Sequence, residues 1–459
     1  MRYRDLAHPP RNFGRFDRRA GCTPQPDQSD QRHEPAKTKR GDHLRQDARP
    51  QVAATSSAYH KPGPHRPRRA LLRLRTSALA NGPFSATLSL PFPMKTRRHF
   101  LAGLSTAAAA TWLQPLRAAA DPKKDTIVGH GKFRYRVIKD WVAPGQGRHH
   151  PILNCHEMVQ VADGRLFMIG DHPTNQMLVF KPDGTILTSW GHVWPGGHGL
   201  TLARENGAEF LLVCDSGLWK SGNGGYRQTG RVTKIDLTGR ELFSISHPMS
   251  VGAYEPKMPF NPTETAVAPN GDIYVVDGYG SNFVLRYDHH GKFLARFGGK
   301  DGVPENERLN NAHGIAVDLR AGADKATLLV TSRADLCFRR FTLDGQYLET
   351  LPVPGCMVCR PVISGQELYA GVCWSKDPVA SKLPNNPSGF TVILDAAGKV
   401  ISAPGGTAPA YVGGKLTPLN RDQPIIDHGH DVCVLANGDV IVCQWNAYQS
   451  YPLKLERLA

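Results

Sequence analysis

The sequence predicts an all-β protein, a six-bladed β-propeller, from three observations. From residue 131 onward helical periodicity is nearly absent, and short apolar alternations are broken by Gly, Asn, Asp and Pro turns. One unit recurs six times, at spacings of roughly 40–70 residues, enough for four strands and their loops. Three of the six copies open on similar stretches: His198-Gly199-Leu200, His313-Gly314-Ile315 and His430-Asp431-Val432.

The segment ahead of the repeats is of another kind. Residues 1–93 are crowded with Arg, Pro, His, Gln and Ser, as in His65-Arg66-Pro67-Arg68-Arg69. Such a composition buries too little apolar surface to offset chain entropy, so a disordered basic segment is expected. It holds 18 Lys+Arg and 7 Asp+Glu, net +11, and residues 94–120 add four basic residues and no acids. That leaves 34 basic and 33 acidic residues in 121–459, net +1, so the formal +16 belongs to the leader and not to the folded part. With no basic stripe and no interleaved aromatics, nucleic-acid binding is not expected.

Met94-Lys95-Thr96-Arg97-Arg98-His99-Phe100-Leu101 has the outline of a twin-arginine signal peptide. An Ala-rich apolar stretch runs to Trp112, and Arg117-Ala118-Ala119-Ala120 offers a cleavage site before Asp121. The apolar run is too short to span a membrane. The simplest account starts the protein at Met94, makes 1–93 mis-assigned upstream sequence, and leaves 121–459 as the mature propeller. The twin-arginine export machinery would then be a partner, and the protein would be periplasmic or secreted.

The best copy of the repeat runs from Thr265 through Pro269-Asn270-Gly271-Asp272 and Ile273-Tyr274-Val275-Val276-Asp277 to Phe297. Asn-Gly and Asp-Gly favour tight hairpins because both residues tolerate positive φ. The other copies start at His156, His198, His313, near Cys359, and at His430. The last is short, and Phe133–Ile138 is expected to supply its outer strand and close the ring. Four Gly-, Pro- and Asn-rich insertions, at about 217–230, 246–261, 375–388 and 403–427, read as loops that carry substrate contacts. Of the eight cysteines after residue 120, Cys356 and Cys359 form a single C-x-x-C without the second pair a zinc ribbon needs. Cys433 and Cys443 flank one hairpin and are placed to pair across it.

Equivalent positions in a propeller lie at equal radius about one axis. Alternate blades of six are about 120° apart, so His198, His313 and His430 would converge as a trigonal set. A catalytic zinc takes three protein ligands and keeps a fourth position for water or substrate. A histidine at a strand start is also commonly a hydrogen-bonded structural residue, and His156, His172, His192 and His428 lie close enough to compete.

On these residues the chain resembles the NHL-repeat six-bladed propellers, and among them the peptidyl-α-hydroxyglycine α-amidating lyase domain. That family opens alternate blades on His-Gly-Leu, Pro-His-Ser-Leu and His-Asp-Ile, against the three stretches above. Its Pro-Thr-Asp-Val-Ala-Val and Ile-Tyr-Val-Ser-Asp-Gly-Tyr match Pro262-Thr263-Glu264-Thr265-Ala266-Val267 and Ile273-Tyr274-Val275-Val276-Asp277-Gly278-Tyr279. Its Val-Ala-Asp-Arg matches Val330-Thr331-Ser332-Arg333.

The resemblance implies zinc on His198, His313 and His430, with Tyr279 and Arg333 catalytic. It also implies a structural calcium near Asp431, with the backbone oxygen of Leu200. The implied reaction resembles that of peptidylamidoglycolate lyase, cleavage of a carbinolamide in a small-molecule or peptide substrate. In that scheme Tyr279 takes a proton, with its pKa drawn down by Arg333. Three departures stand out. The family's carboxylate-binding arginine is missing from Met168-Ile169-Gly170-Asp171-His172, its methionine before the third histidine is His428, and the cysteine after its tyrosine is Gly280.

The reading is therefore an exported zinc-dependent lyase-like enzyme. Its alternative is a non-catalytic propeller that binds a ligand or protein through its loop face. A third, a gluconolactonase-like hydrolase, would use Glu, Asn and Asp about a divalent ion, and no such set is evident in the sequence.

Overall fold

A computed structural model describes residues 125–221, 224–375 and 387–459. The expectations for 1–93 and for the signal peptide at 94–120 lie outside these residues. No helix among the described residues is long and apolar enough to cross a membrane.

Six antiparallel sheets make the six blades. Blade 1 is built from Cys155–Gln160, Leu166–Gly170, Met177–Phe180 and Ile186–Trp190. Blade 2 begins at Gly197–Glu205, blade 3 at Glu264–Val267, blade 4 at Ala312–Asp318, blade 5 at Cys356–Val358 and blade 6 at Gly429–Val434. These first strands are the inner ones and adjoin those of the neighbouring blades; in blade 5 the inner edge continues into Val362–Ser364, which makes the contacts with blades 4 and 6, so the ring closes. The expected hairpin chemistry is present: Gly164, Gly184, Gly271 and Gly438 all take positive φ at Asp-Gly or Asn-Gly turns.

The hydrophobic core is divided into six clusters, one between each pair of neighbouring blades. Strand pleating produces this division. In Ala208–Asp215, Leu211 and Val213 pack towards blade 1, whereas Leu212 and Cys214 pack towards blade 3. A strand buried on both faces reads as a continuous apolar run, which is why the second strands are the most apolar stretches of the repeat.

Blade 6 is completed from the other end of the described chain. Phe133–Ile138 pairs with Leu453–Arg457, Tyr135 opposite Arg457, as the sequence led us to expect. A further short strand, Ile127–His130, pairs outside it and was not foreseen. Tyr135 is fully buried and its hydroxyl accepts a hydrogen bond from Arg457 Nη1 at 2.9 Å. Tyr135→Phe keeps the packing and loses this bond. A destabilisation of about 1–2 kcal/mol is expected in urea denaturation, and no change would show that the closing strand is held by apolar packing alone.

All eight cysteines of the described chain are free and buried. Cys433 lies opposite Ile441 and Cys443 opposite Asp431, so the two thiols are out of register and do not pair across their hairpin.

Candidate metal centre

The histidines reach the axis through a shared irregularity of the backbone. In blade 1 the pairing steps from Cys155 to Glu157, in blade 2 from Gly197 to Gly199, and in blade 6 from Gly429 to Asp431. In blade 4 it steps from Ala312 to Ile315. Each of His156, His198, His313 and His430 is thus the extra residue of a β-bulge, which re-aims its side chain out of the alternation. The ring centroids of His198, His313 and His430 form a nearly equilateral triangle with sides of 4.6, 4.8 and 4.9 Å. All three side chains are buried. His156 joins as a fourth member, 4.9 Å from the His198 ring and 4.7 Å from that of His430. His428 does not reach this ring: its Nδ1 lies 2.9 Å from the Cys373 carbonyl, and it packs against Trp374 and Trp445.

The glycine after two of these histidines has a steric cause. A Cβ at Gly199 would lie 2.5 Å from the Thr263 oxygen, and one at Gly314 would lie 2.5 Å from Arg360 Cα. Both are backbone contacts with the next blade, so nothing can swing away. Gly314→Ala is expected to cost about 1–3 kcal/mol by overpacking, read as a lower denaturation midpoint; unaltered stability would mean that the inner strands can part.

The hydrogen bonds of the histidines fix their protons. His198 Nδ1 lies 2.8 Å from the Thr263 carbonyl, and His430 Nδ1 lies 3.0 Å from the His156 carbonyl. A carbonyl only accepts, so each Nδ1 carries the hydrogen and each Nε2 presents a lone pair. Burial, with the neighbouring imidazoles and Arg333, holds His198, His313 and His430 well below the usual histidine range, and so neutral. The two Nε2 atoms nevertheless face each other at 3.2 Å. Two lone pairs at that separation repel unless a cation lies between them. Bonds of about 2.0–2.1 Å to a tetrahedral zinc put nitrogen ligands about 3.3 Å apart. The spacing of this pair fits two ligands of a zinc ion. The ligand atoms of His156, His198 and His430 lie within 4.8 Å of one another, as do those of His313, Cys359 and His430, whereas the expected trio of His198, His313 and His430 does not form such a set. His313 Nδ1 and both ring nitrogens of His156 make no hydrogen bond, although His156 Nε2 lies 3.3 Å from Asp171 Oδ2.

Tyr279 and Arg333 stand beside this ring. The half-buried Tyr279 places its hydroxyl 3.2 Å from His198 Nε2 and 3.1 Å from His313 Nε2. Arg333 donates from Nη2 to the same hydroxyl at 3.5 Å and from Nε to Asn311 Oδ1 at 2.6 Å. The Tyr279 backbone is held from two sides: its N–H donates to the Asn261 carbonyl, and its carbonyl accepts from Arg227 at 2.8 Å. Arg227 belongs to a hairpin, Leu218–Ser221 with Gly224–Arg227, inside the first of the expected loops, so that loop does reach the site. The preceding Asp277 accepts from Asn261 N–H, Ser281 N–H and the Tyr254 hydroxyl. Burial pushes its carboxyl up to about 7. The expectation that Arg333 draws the Tyr279 pKa down is met only in part. Burial raises it, Arg333 offsets some of the rise, and the net displacement is upward.

Beneath the histidines lies a second, charged layer that the sequence did not reveal. Glu157, Glu264 and Asp431 point to a single guanidinium, that of Arg360 in blade 5. Arg360 donates from Nε to Asp431 Oδ1 at 2.9 Å and from Nη2 to Asp431 Oδ2 at 2.8 Å. It also donates to the carbonyls of Leu200 at 2.9 Å and Met158 at 3.1 Å, with Glu157 at 3.6 Å and Glu264 at 3.9 Å. The oxygens that the resemblance gives to calcium, those of Asp431 and Leu200, are thus taken by a fixed cation of the chain itself. Calcium does not fit there.

Two sulfurs complete the surroundings. Cys359 Sγ lies 3.9 Å from Arg333 Nη1, and the Cys373 thiol is its other polar neighbour. Burial raises the Cys359 thiol, but Cys373 and Arg333 together bring it below the ordinary range. At the rim, Asp171 accepts from both the backbone and side chain of Asn154.

No protein-family model matches the sequence, and no curated protein matches it. Solved structures do resemble the fold. A virginiamycin B lyase from Staphylococcus aureus is 11% identical, with a TM-score of 0.43, over 73% of this chain and 100% of that one. A gluconolactonase from Xanthomonas campestris is 13% identical, with a TM-score of 0.45, over 72% and 95%. A streptogramin B lyase is 12% identical, with a TM-score of 0.40, over 67% and 94%. The neighbours of this propeller thus include a lyase and a lactonase, and neither a relationship to NHL proteins nor one to the amidating lyase is shown by them.

Proposed function

We propose that this propeller is a zinc-dependent lyase acting on a small molecule or peptide that carries a hydroxyl beside a leaving nitrogen or oxygen. The observation that carries the proposal is the pair of unprotonated Nε2 atoms 3.2 Å apart where the inner strands of blades 2 and 6 meet the axis. His198, His313 and His430 would hold the metal, which when bound supplies a Lewis acid for the substrate hydroxyl. The remaining chemistry belongs to the chain. Tyr279 Oη receives the hydroxyl proton and passes its own to the leaving atom, as the carbon–heteroatom bond breaks and a carbonyl forms. The raised Tyr279 pKa suits this relay, since the residue starts with its proton in place. Arg333 stabilises negative charge that develops on Tyr279 Oη. Asp171 at the rim disfavours a substrate with a carboxylate at that place and favours a neutral or cationic one.

The test is direct. The purified protein should retain about one zinc per chain, lost in His198→Ala, His313→Ala or His430→Ala, and should turn over an α-hydroxyglycine peptide or a decarboxylated analogue. A protein that binds no metal and leaves both substrates intact overturns the proposal. Periplasmic or secreted location rests on the Met94–Ala120 sequence and is part of the same proposal; cell fractionation checks it, with a cytoplasmic protein as the contrary result.

A further inference from the structure

Cys359 follows directly on the short inner strand of blade 5, at the height of the histidine ring, and its backbone is fixed at both ends. Its N–H donates to the Gly371 carbonyl at 2.9 Å, and its carbonyl accepts from Thr331 Oγ1 at 2.6 Å. The side chain is fully buried. Its sulfur and one ring nitrogen each of His313 and His430 lie within 4.8 Å of one another. His313 is fully buried, and its Nδ1 has no hydrogen-bond partner. Arg333 Nη1 stands 3.9 Å from the sulfur, the arrangement that stabilises a thiolate.

We infer that Cys359 is a sulfur ligand of the axial metal, so that the centre is a mixed nitrogen and sulfur site and not an all-histidine one, and the substrate hydroxyl has to join it as a fifth ligand. The inference rests on the metal reading given above and deepens it. On a tetrahedral zinc, bonds of about 2.3 Å to sulfur and about 2.0–2.1 Å to nitrogen put the donors about 3.5 Å apart. The cluster therefore has to close by at most about 1.3 Å on binding, within the reach of side-chain torsions. His156 is the competing extra ligand: it forms a group of its own with His198 and His430, and its Nε2 contact with Asp171 leaves Nδ1 as the donor atom. The neighbour of Cys359 is a cation, and the spectrum of bound cobalt tells sulfur from nitrogen. Arg333 thus acquires a second role, balancing the charge of a ligand. A thiolate in the set also selects zinc over magnesium, calcium or manganese, which prefer oxygen donors.

Cobalt(II) in place of zinc reads the donors without reference to turnover. The cobalt-loaded protein should show the visible bands of a four-coordinate ion together with a near-ultraviolet sulfur-to-cobalt charge-transfer band. Cys359→Ser should lose the near-ultraviolet band and keep the visible ones, and Cys373→Ser should keep both. Visible bands with no charge-transfer band in the unaltered protein overturn the cysteine ligand and leave the histidine centre standing. No cobalt uptake at all overturns both. Should Cys359→Ser fail to fold, zinc X-ray absorption on the unaltered protein decides: a sulfur shell at about 2.3 Å supports the inference, and nitrogen alone at about 2.0 Å ends it.

Discussion

Arg360→Ala will destabilise the folded protein by about 3–5 kcal/mol, the usual cost of removing one partner from a buried ion pair. The guanidinium is the only positive group among three fully buried carboxylates in the described residues around it, and it also satisfies two backbone carbonyls. Glu157 is already pushed well above the ordinary carboxyl range by burial and by Glu264, and Asp431 is raised by burial in spite of Arg360. Without Arg360 both rise further. The sign follows from linkage. A carboxyl whose folded pKa exceeds its unfolded one favours folding at low pH, and that contribution is lost as pH rises from the unfolded value through the folded one. The variant should therefore be closest to the parent near pH 4 and fall furthest behind at neutral pH. Urea denaturation at several pH values measures this, and a deficit independent of pH would mean that the carboxylates do not depend on the guanidinium. Arg360→Lys should recover only a part, because an ammonium cannot make the paired contact with Asp431.

Tyr279→Phe should lower kcat by about 10²–10⁴-fold, the range for losing a positioned acid or base, while metal content and fold are kept. The ring remains to pack edge-on against His198 and His313, and its backbone anchors at Asn261 and Arg227 do not involve the hydroxyl. Arg333→Lys is the companion variant. It should retain charge near Tyr279 but lose the fork that reaches Asn311 and the hydroxyl together, with a smaller loss of kcat. Full activity in Tyr279→Phe would remove the residue from the proton relay and transfer attention to His156 with Asp171.

The blades were legible because their signal is local. An Asn-Gly or Asp-Gly turn, an apolar alternation and a second turn can each be read within a few residues, and Phe133–Ile138 showed the same alternation far from its partners. Ile127–His130 escaped because four residues around a glycine carry no period. The three histidines were legible because their blades alternate, and alternation is a statement about sequence spacing. His156 opens a copy too, but it breaks the alternation, and only the bulge it shares with the others shows its kinship to them. Arg360 and Cys359 were illegible for a different reason. Arg360 meets residues of blades 1, 2, 3 and 6, and Cys359 meets blades 4 and 6, so no spacing along the chain announces either. What looked in the sequence like one C-x-x-C has only its second sulfur at the axis.

The strand that completes blade 6 also bears on how the chain folds. Tyr135 and Arg457 are 322 positions apart, so the contact that shuts the ring joins almost the two ends of the described chain. Blades 1 to 5 each form from consecutive residues and can collapse as they are made, whereas the seam has the longest loop to close and must form last. Until it does, blades 1 and 6 present unpaired strand edges to other chains, and aggregation has its opportunity. His156 of blade 1 and His430 of blade 6 meet across the junction that this closure brings together, so the histidine cluster is completed at the final step of folding and not before it.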